Sequence, residues 1–259
     1  CGQIAVPLHF EMLERAARSG DYKQFMKEWT SDMLGHLFWL NGADNNKLSP
    51  NENFAREFWE LGTLAPTDLA GNANYTELDV ARAALAFTGW SAQPMPSRRF
   101  ISTDNMSPTN PAPVVIGCAA KFSKYNHSKG AKVIFFGTPY QSTVYDHADI
   151  LEATFKHHAL AESLALDLWH EFISPNPTVS GVRNLAALIR ANNYQLLPVM
   201  RTMMLSEALY APEHRHALIK HPIELGAGLT RALSAHPKSD RANHRPANYG
   251  PVHLVHGLV

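Results

Sequence analysis

Two helix starts written in short succession constrain this chain more than any other feature. Ser49-Pro50-Asn51-Glu52 offers a hydroxyl cap, a proline at the first helical position and a carboxylate at the third. That order satisfies orphan N–H groups and favours the helix dipole. Thr76-Glu77-Leu78-Asp79 repeats the cap. The spacing predicts a first helix to about Gly62, a loop over 65–75, and a second helix to Thr88 that stops at Gly89.

Upstream, Phe10, Leu13, Ala17, Phe25, Trp29, Met33, Leu34 and Leu37 recur at helical spacing from His9 to Leu40, with a break at Ser19-Gly20-Asp21. This predicts two amphipathic helices followed by a polar loop over 41–49. Residues 91–145 change character. Prolines at 94, 96, 108, 111, 113 and 139 exclude long helices, and Val114-Val115-Ile116 and Val133-Ile134-Phe135-Phe136 read as short strands of a small hairpin. Helical periodicity returns over 148–156, 159–173, 179–191, 195–208 and 219–234. The expected fold class is therefore all-α, a helical bundle with one long irregular loop insertion containing a small β-hairpin. Residues 1–236 are expected to form a single helical domain, and 237–259, which lack periodicity, a loosely held tail.

Composition removes several function classes. Lys plus Arg and Asp plus Glu balance at 23 each, so no overall field draws the chain to nucleic acid or an anionic membrane. No apolar run approaches the roughly 18 residues of a transmembrane helix. There is no GxSxG elbow, P-loop, GxGxxG or CxxC pair, which leaves the common nucleotide and serine-hydrolase chemistries unsupported. Cys1 and Cys118 could form at most one bridge, and an N-terminal cysteine is also the form of an acylated lipoprotein. Seven of the 14 histidines lie from His214 onward (His214, His216, His221, His236, His244, His253, His256), without partners of fixed geometry for a metal.

Three groups of residues could carry chemistry. Glu52, Arg56 and Glu60 stand at i, i+4 and i+8 on the first capped helix and share one face, while Phe54, Phe58 and Leu61 share another. The charged face is either a solvated row stabilising by roughly a few tenths of a kcal/mol per pair, or a cleft in which Arg56 orients two carboxylates for acid or base work. Asn126-His127-Ser128-Lys129-Gly130-Ala131-Lys132 puts an imidazole and two ammonium groups in a turn before a strand, suited to titration near neutrality or to anion binding. His158 and Glu162 have the i, i+4 spacing of two metal ligands, but no third ligand can be named, so neither a metal nor a cofactor is assigned.

The segment from Pro50 to Leu64 (PNENFAREFWELGTL), with Tyr75 to Arg82 (YTELDVAR) and Phe87-Thr88-Gly89-Trp90, closely resembles the signature of the bacterial family catalogued as domain of unknown function 1800. Asp32-Met33-Leu34, Lys132 to Gly137 and Ile219 to Glu224 are similar more weakly, so the resemblance spans roughly 9–233. The chain departs from the family where His127-Ser128 stands in place of its usual His-Asp, and the tail after His236 does not match. Family members are longer, which implies an interior portion. Members are often exported, which implies the periplasm or cell surface.

Two functions are weighed on these grounds. One is an exported hydrolase using Glu52, Glu60 and His127 for catalysis, with Arg56 and Lys132 binding a polar or anionic substrate, small or polymeric. The other is a non-catalytic scaffold or partner-binding protein in which the same charges cap helices and fix the loop. Histidine-based metal binding is a third, and oligomeric state is left open.

Overall fold

A helix begins most readily where a side-chain oxygen can take its orphan N–H groups, and four of the helices here do so. Asp21, Thr76, Asp146 and Thr178 accept from the first turns of their helices, and Thr76 and Asp146 do so within reciprocal capping boxes closed by Asp79 and Asp149. The computed structural model describes residues 2–96, 116–233, Ser239–Asp240 and Arg245–Pro246. The helices are α1 (Gly2–Ser19), α2 (Tyr22–Trp29), α3 (Asn53–Glu60), α4 (Glu77–Ala86), α5 (His147–Lys156), α6 (His158–Phe172), α7 (Val179–Ala191), α8 (Leu196–Met204), α9 (Glu207–Tyr210) and α10 (Pro222–Ala232). A π-helix occupies Met33–Trp39. Strands β1 (Trp90–Pro96) and β2 (Ile116–Phe122) pair antiparallel, as do β3 (Lys132–Ile134) and β4 (Ser142–Val144), and the dipeptides β5 (Ser239–Asp240) and β6 (Arg245–Pro246). The protein is mainly α with hairpins in its insertion.

Four details differ from the sequence expectation. The helix expected to start at Ser49 starts at Asn53, because Ser49 is held in a turn by Asn46, whose Oδ1 accepts from the N–H groups of Leu48 and Ser49. Asn51 does the capping instead: its Oδ1 accepts from Asn53 N at 2.9 Å. Leu61, placed on the apolar face of α3, caps its C-terminus and is 76% exposed, while Ala55 and Trp59 join Phe54 and Phe58 in the core. The second N-terminal helix is interrupted after Trp29, since Asp32 turns extended and its carboxylate takes Gly35 N–H to start the π-helix. The expected hairpin is present as β3–β4, with Ser142–Val144 as the partner of Lys132–Ile134, and a longer one, β1–β2, accompanies it. Of the expected strand at Val114–Ile116 only Ile116 is described. Cys1, the Cys118 side chain and most of the tail also lie outside the described residues.

One hydrophobic cluster runs from Met26 to Met203 and takes residues from α2 through α8, with Phe54, Phe58, Trp59, Phe87 and Phe135 among its largest fully buried side chains. Phe54 and Phe87 meet edge to face at 4.9 Å, and Trp59 lies 5.2 Å from Phe135. Aromatic pairs in these geometries add to the area they bury. Trp59 also donates its indole N–H to Thr154 Oγ1 at 3.0 Å, tying α3 to α5.

The insertion is fastened to this core through Asp79, which is buried. One carboxylate oxygen accepts from Thr76 N and Thr76 Oγ1 at 2.8 and 2.7 Å, and the other accepts from Phe135 N at 2.8 Å. Phe135 has φ of 53° and so occupies the left-handed region that a bulky residue rarely adopts. Arg82 Nη1 donates to Val133 O at 2.6 Å, a second tie from α4 to β3. Asp79→Ala removes the cap and strands a buried N–H, so it should destabilise by about 3 kcal/mol, and Asp79→Asn by about half that. Urea unfolding checks this, and a loss below about 1 kcal/mol for the alanine variant would contradict the role given to this carboxylate.

Candidate functional site

The Glu52 face of α3 does not form the ladder its spacing offered. Arg56 donates through Nη2 to Glu52 Oε2 at 3.2 Å, and through Nη1 and Nη2 to both oxygens of Glu77, at 2.9 and 2.6 Å. The fork-to-fork pair is thus made with the first turn of α4 rather than with Glu60, for which the structure shows no hydrogen bond. Glu77 had entered the sequence reading only as a first-turn acid suited to the helix dipole. The hydrogen bond from Arg56 holds the Glu77 carboxyl below its ordinary value, and Glu77 in turn raises Arg56 further above its own. With side chains 34% exposed for Arg56, 43% for Glu52 and 78% for Glu77, the group is open to solvent and screened.

His127 and Lys132 do come together, on the carbonyl of Tyr145. Gly89, at φ of 100°, ends the α4 segment and lets its backbone close on the 123–127 turn, where Ser123 N donates to Gly89 O at 2.8 Å. A Cβ at Gly89 would lie 2.9 Å from Ser123 O and 3.0 Å from His127 Cβ. His127 Nδ1 faces Thr88 O at 2.9 Å and Nε2 faces Tyr145 O at 3.2 Å, so both ring nitrogens look at backbone oxygens. Ser128 N donates to Thr88 Oγ1 at 2.7 Å. Lys132 is 7% exposed, and its ammonium donates to Ser128 O, Gly130 O and Tyr145 O at 2.6, 3.0 and 2.8 Å. Those three bonds use all three of its protons. Burial lowers its affinity for the proton, opposed by Asp146 and Asp149. Among the described residues, no hydrogen bond joins Glu52, Arg56 or Glu60 to His127 or Lys132.

The histidines that the fold makes unusual are not those the sequence singled out. His36, on the π-helix, is fully buried and stacks on Phe54 at 3.7 Å. Its Nδ1 lies 2.5 Å from Thr30 O, and its Nε2 has no partner. Burial lowers its pKa to about 3. Trp90 stands edge-on to both His36 and His147, at 6.4 and 5.1 Å, and carries an unpartnered buried indole N–H, as His147 does an unpartnered Nδ1. His157 accepts from Ala159 N through Nδ1 to cap α6, and burial, with His158 beside it, lowers its pKa to about 4. The sequence read His157-His158 only as a break between helices. Helical periodicity would have placed His36 beside Leu37 in the core, but an imidazole there reads equally as a polar interruption. Near His158 and Glu162, a cavity of about 200 Å³ opens between the 64–69 loop and α6. Among the described residues no cluster of three or more His, Cys, Asp or Glu could hold a metal ion, and no helix is long and apolar enough to cross a membrane.

Comparison with known proteins gives one match. The sequence model of the family described as "Protein of unknown function (DUF1800)" covers residues 4–253. It therefore extends beyond 9–233 at both ends and takes in most of the tail that had appeared not to follow the family pattern. No curated protein and no solved structure matches the chain.

Two outcomes follow from this geometry. Lys132→Met keeps most of the buried stem but leaves three carbonyls without their donor, and it should destabilise by about 2 kcal/mol in chemical unfolding. Stability should also fall in mild acid. His36 and His157 stay neutral in the folded chain until about pH 3 and 4, whereas they take up protons near 6.5 when unfolded. Their contribution is complete above pH 6.5 and is lost as the pH falls from there toward the folded values. Replacing His36 by Phe should lower stability at pH 7 yet flatten the profile between pH 6 and 4.5 by about 1.4 kcal/mol per pH unit. An unaltered slope would show that His36 is protonated in the fold.

Proposed function

The chain belongs to the DUF1800 family, and we propose that it acts as a non-catalytic helical scaffold in which Glu52, Arg56, His127 and Lys132 are fasteners. The observation that carries this reading is the ammonium of Lys132, whose three donors end on the backbone carbonyls of its own loop. A group binding an anionic substrate needs at least one donor turned outward. His127 is engaged on both ring nitrogens by the same kind of partner. The rival reading, a hydrolase, needs Glu52, Glu60 and His127 to act on one substrate. It has Glu52 already paired with Arg56 on a solvated helix face. A scaffold also accords with α10, of which Ile223 and Leu225 lie exposed and only Gly226 is buried. Apolar side chains left in solvent on one element suit the docking of another surface.

A hydrolysis panel of esters, polysaccharides and peptides tests the choice, run on the full chain and on Glu52→Gln, Glu60→Gln and His127→Gln. The scaffold reading expects no turnover that depends on these residues. General acid–base residues contribute typically about 10²–10⁴-fold. A hydrolysis that drops by about 100-fold or more in any of the three variants, with its unfolding midpoint unchanged, would overturn the reading in favour of the hydrolase.

A further inference from the structure

The largest cavity described lies away from every residue discussed above, between α6, α7, α8 and α9, and measures about 400 Å³. Its wall is apolar: Ile173, Leu185, Leu188, Met203 and Ala208. Asn184, Thr202 and Ser206 complete the lining, so no ionisable side chain faces it. Thr202 Oγ1 donates back to Pro198 O and Ser206 Oγ to Met203 O, so both hydroxyl protons are already used. The exception is Trp169. It lines the cavity, is 7% exposed, and its indole N–H is buried with no partner. A buried donor without an acceptor is costly and rare in a folded protein.

The indole is also held in place. A Cβ at Gly181 would lie 2.6 Å from Trp169 Cη2, so the first turn of α7 gives way to the six-membered ring only because residue 181 lacks a side chain. Thr178 Oγ1 fixes that turn by accepting from Gly181 N at 3.1 Å. On the other side, the His214 ring meets the indole edge to face at 6.1 Å, and its Nδ1 is anchored on Ala208 O at 2.6 Å.

We infer that this cavity binds a small neutral molecule with an apolar body and a carbonyl or similar acceptor, which takes the N–H of Trp169. An apolar pocket with one placed polar group is the common form of a small-molecule site, and the volume falls within the usual range of roughly 300–1,000 Å³. The lining supplies no countercharge, so a charged ligand would be desolvated without compensation. An aliphatic or aromatic ketone or ester satisfies the orphan donor and the apolar wall together. The assignment is independent of whether the rest of the chain is a scaffold or an enzyme, since it shares no residue with the Glu52 or His127 groups.

The neutral ketone fluorophore Prodan is a direct probe, because its emission shifts to the blue in apolar surroundings. Titrated with the full chain, it should give a saturable blue shift that undecanone competes away. Ala208→Trp, which fills the cavity, should abolish that shift. Trp169→Phe keeps an aromatic ring and removes only the N–H, and it should weaken binding about fivefold, the weight of one neutral hydrogen bond. A titration that does not saturate, or one that Trp169→Phe leaves unchanged, would overturn the assignment. Should the tryptophan variant at 208 fail to fold, Leu188→Trp at the opposite wall replaces it, and a full signal from that folded variant would count equally against the site.

Discussion

The carboxylate of Asp79 is the constraint on which the rest of this structure depends. Locally it closes a capping box and starts α4. At long range it holds the N–H of Phe135, 56 residues further along the chain, and so fixes where the insertion re-enters the core. Phe135 adopts a left-handed backbone that its side chain disfavours, and that conformation persists only because its surroundings over-determine it. The ring is packed between Trp59 and His157, at 5.2 and 5.0 Å, and its N–H is tied to a charge. A single buried anion thus welds a local helix signal to the tertiary fold.

Part of this was legible in the sequence. Thr76 and Asp79 announce α4 through spacing alone, because a capping box is a short-range object. The Ser49 start was misleading for the same reason: Asn46 competes for that backbone, and turn chemistry won over helix chemistry. The positions of α5, α6 and α7 followed from periodicity, since burying one face of a helix repeats at fixed intervals. No interval encodes that Glu77 takes Arg56, or that Lys132 closes on three carbonyls. These are meetings between segments far apart in the chain, and each residue also has a plausible exposed role.

Histidine illustrates the same limit from another side. Its abundance toward the C-terminus draws the eye, yet the imidazoles with shifted proton affinity are His36, His147 and His157, dispersed through the earlier part of the chain. Desolvation is what changes a histidine, and desolvation is a property of packing. Burial on Phe54 or beside Tyr140 is invisible until the helices are assembled.

The π-helix from Met33 to Trp39 has a consequence for how this protein tolerates insertions and deletions. Its bonds reach five residues back, as from Leu40 N to Gly35 O, so the segment holds one residue more than an α-helix would need to span the same turn. Excising a single residue would restore α-helical winding and swing the following side chains by about 100° around the axis. His36 and Leu37, both buried, could not keep their places through such a rotation. The loop over 65–75 has no such phase to keep. Variation in length should therefore be tolerated in that loop and be nearly absent from the π-helical segment, where the number of residues itself positions the core.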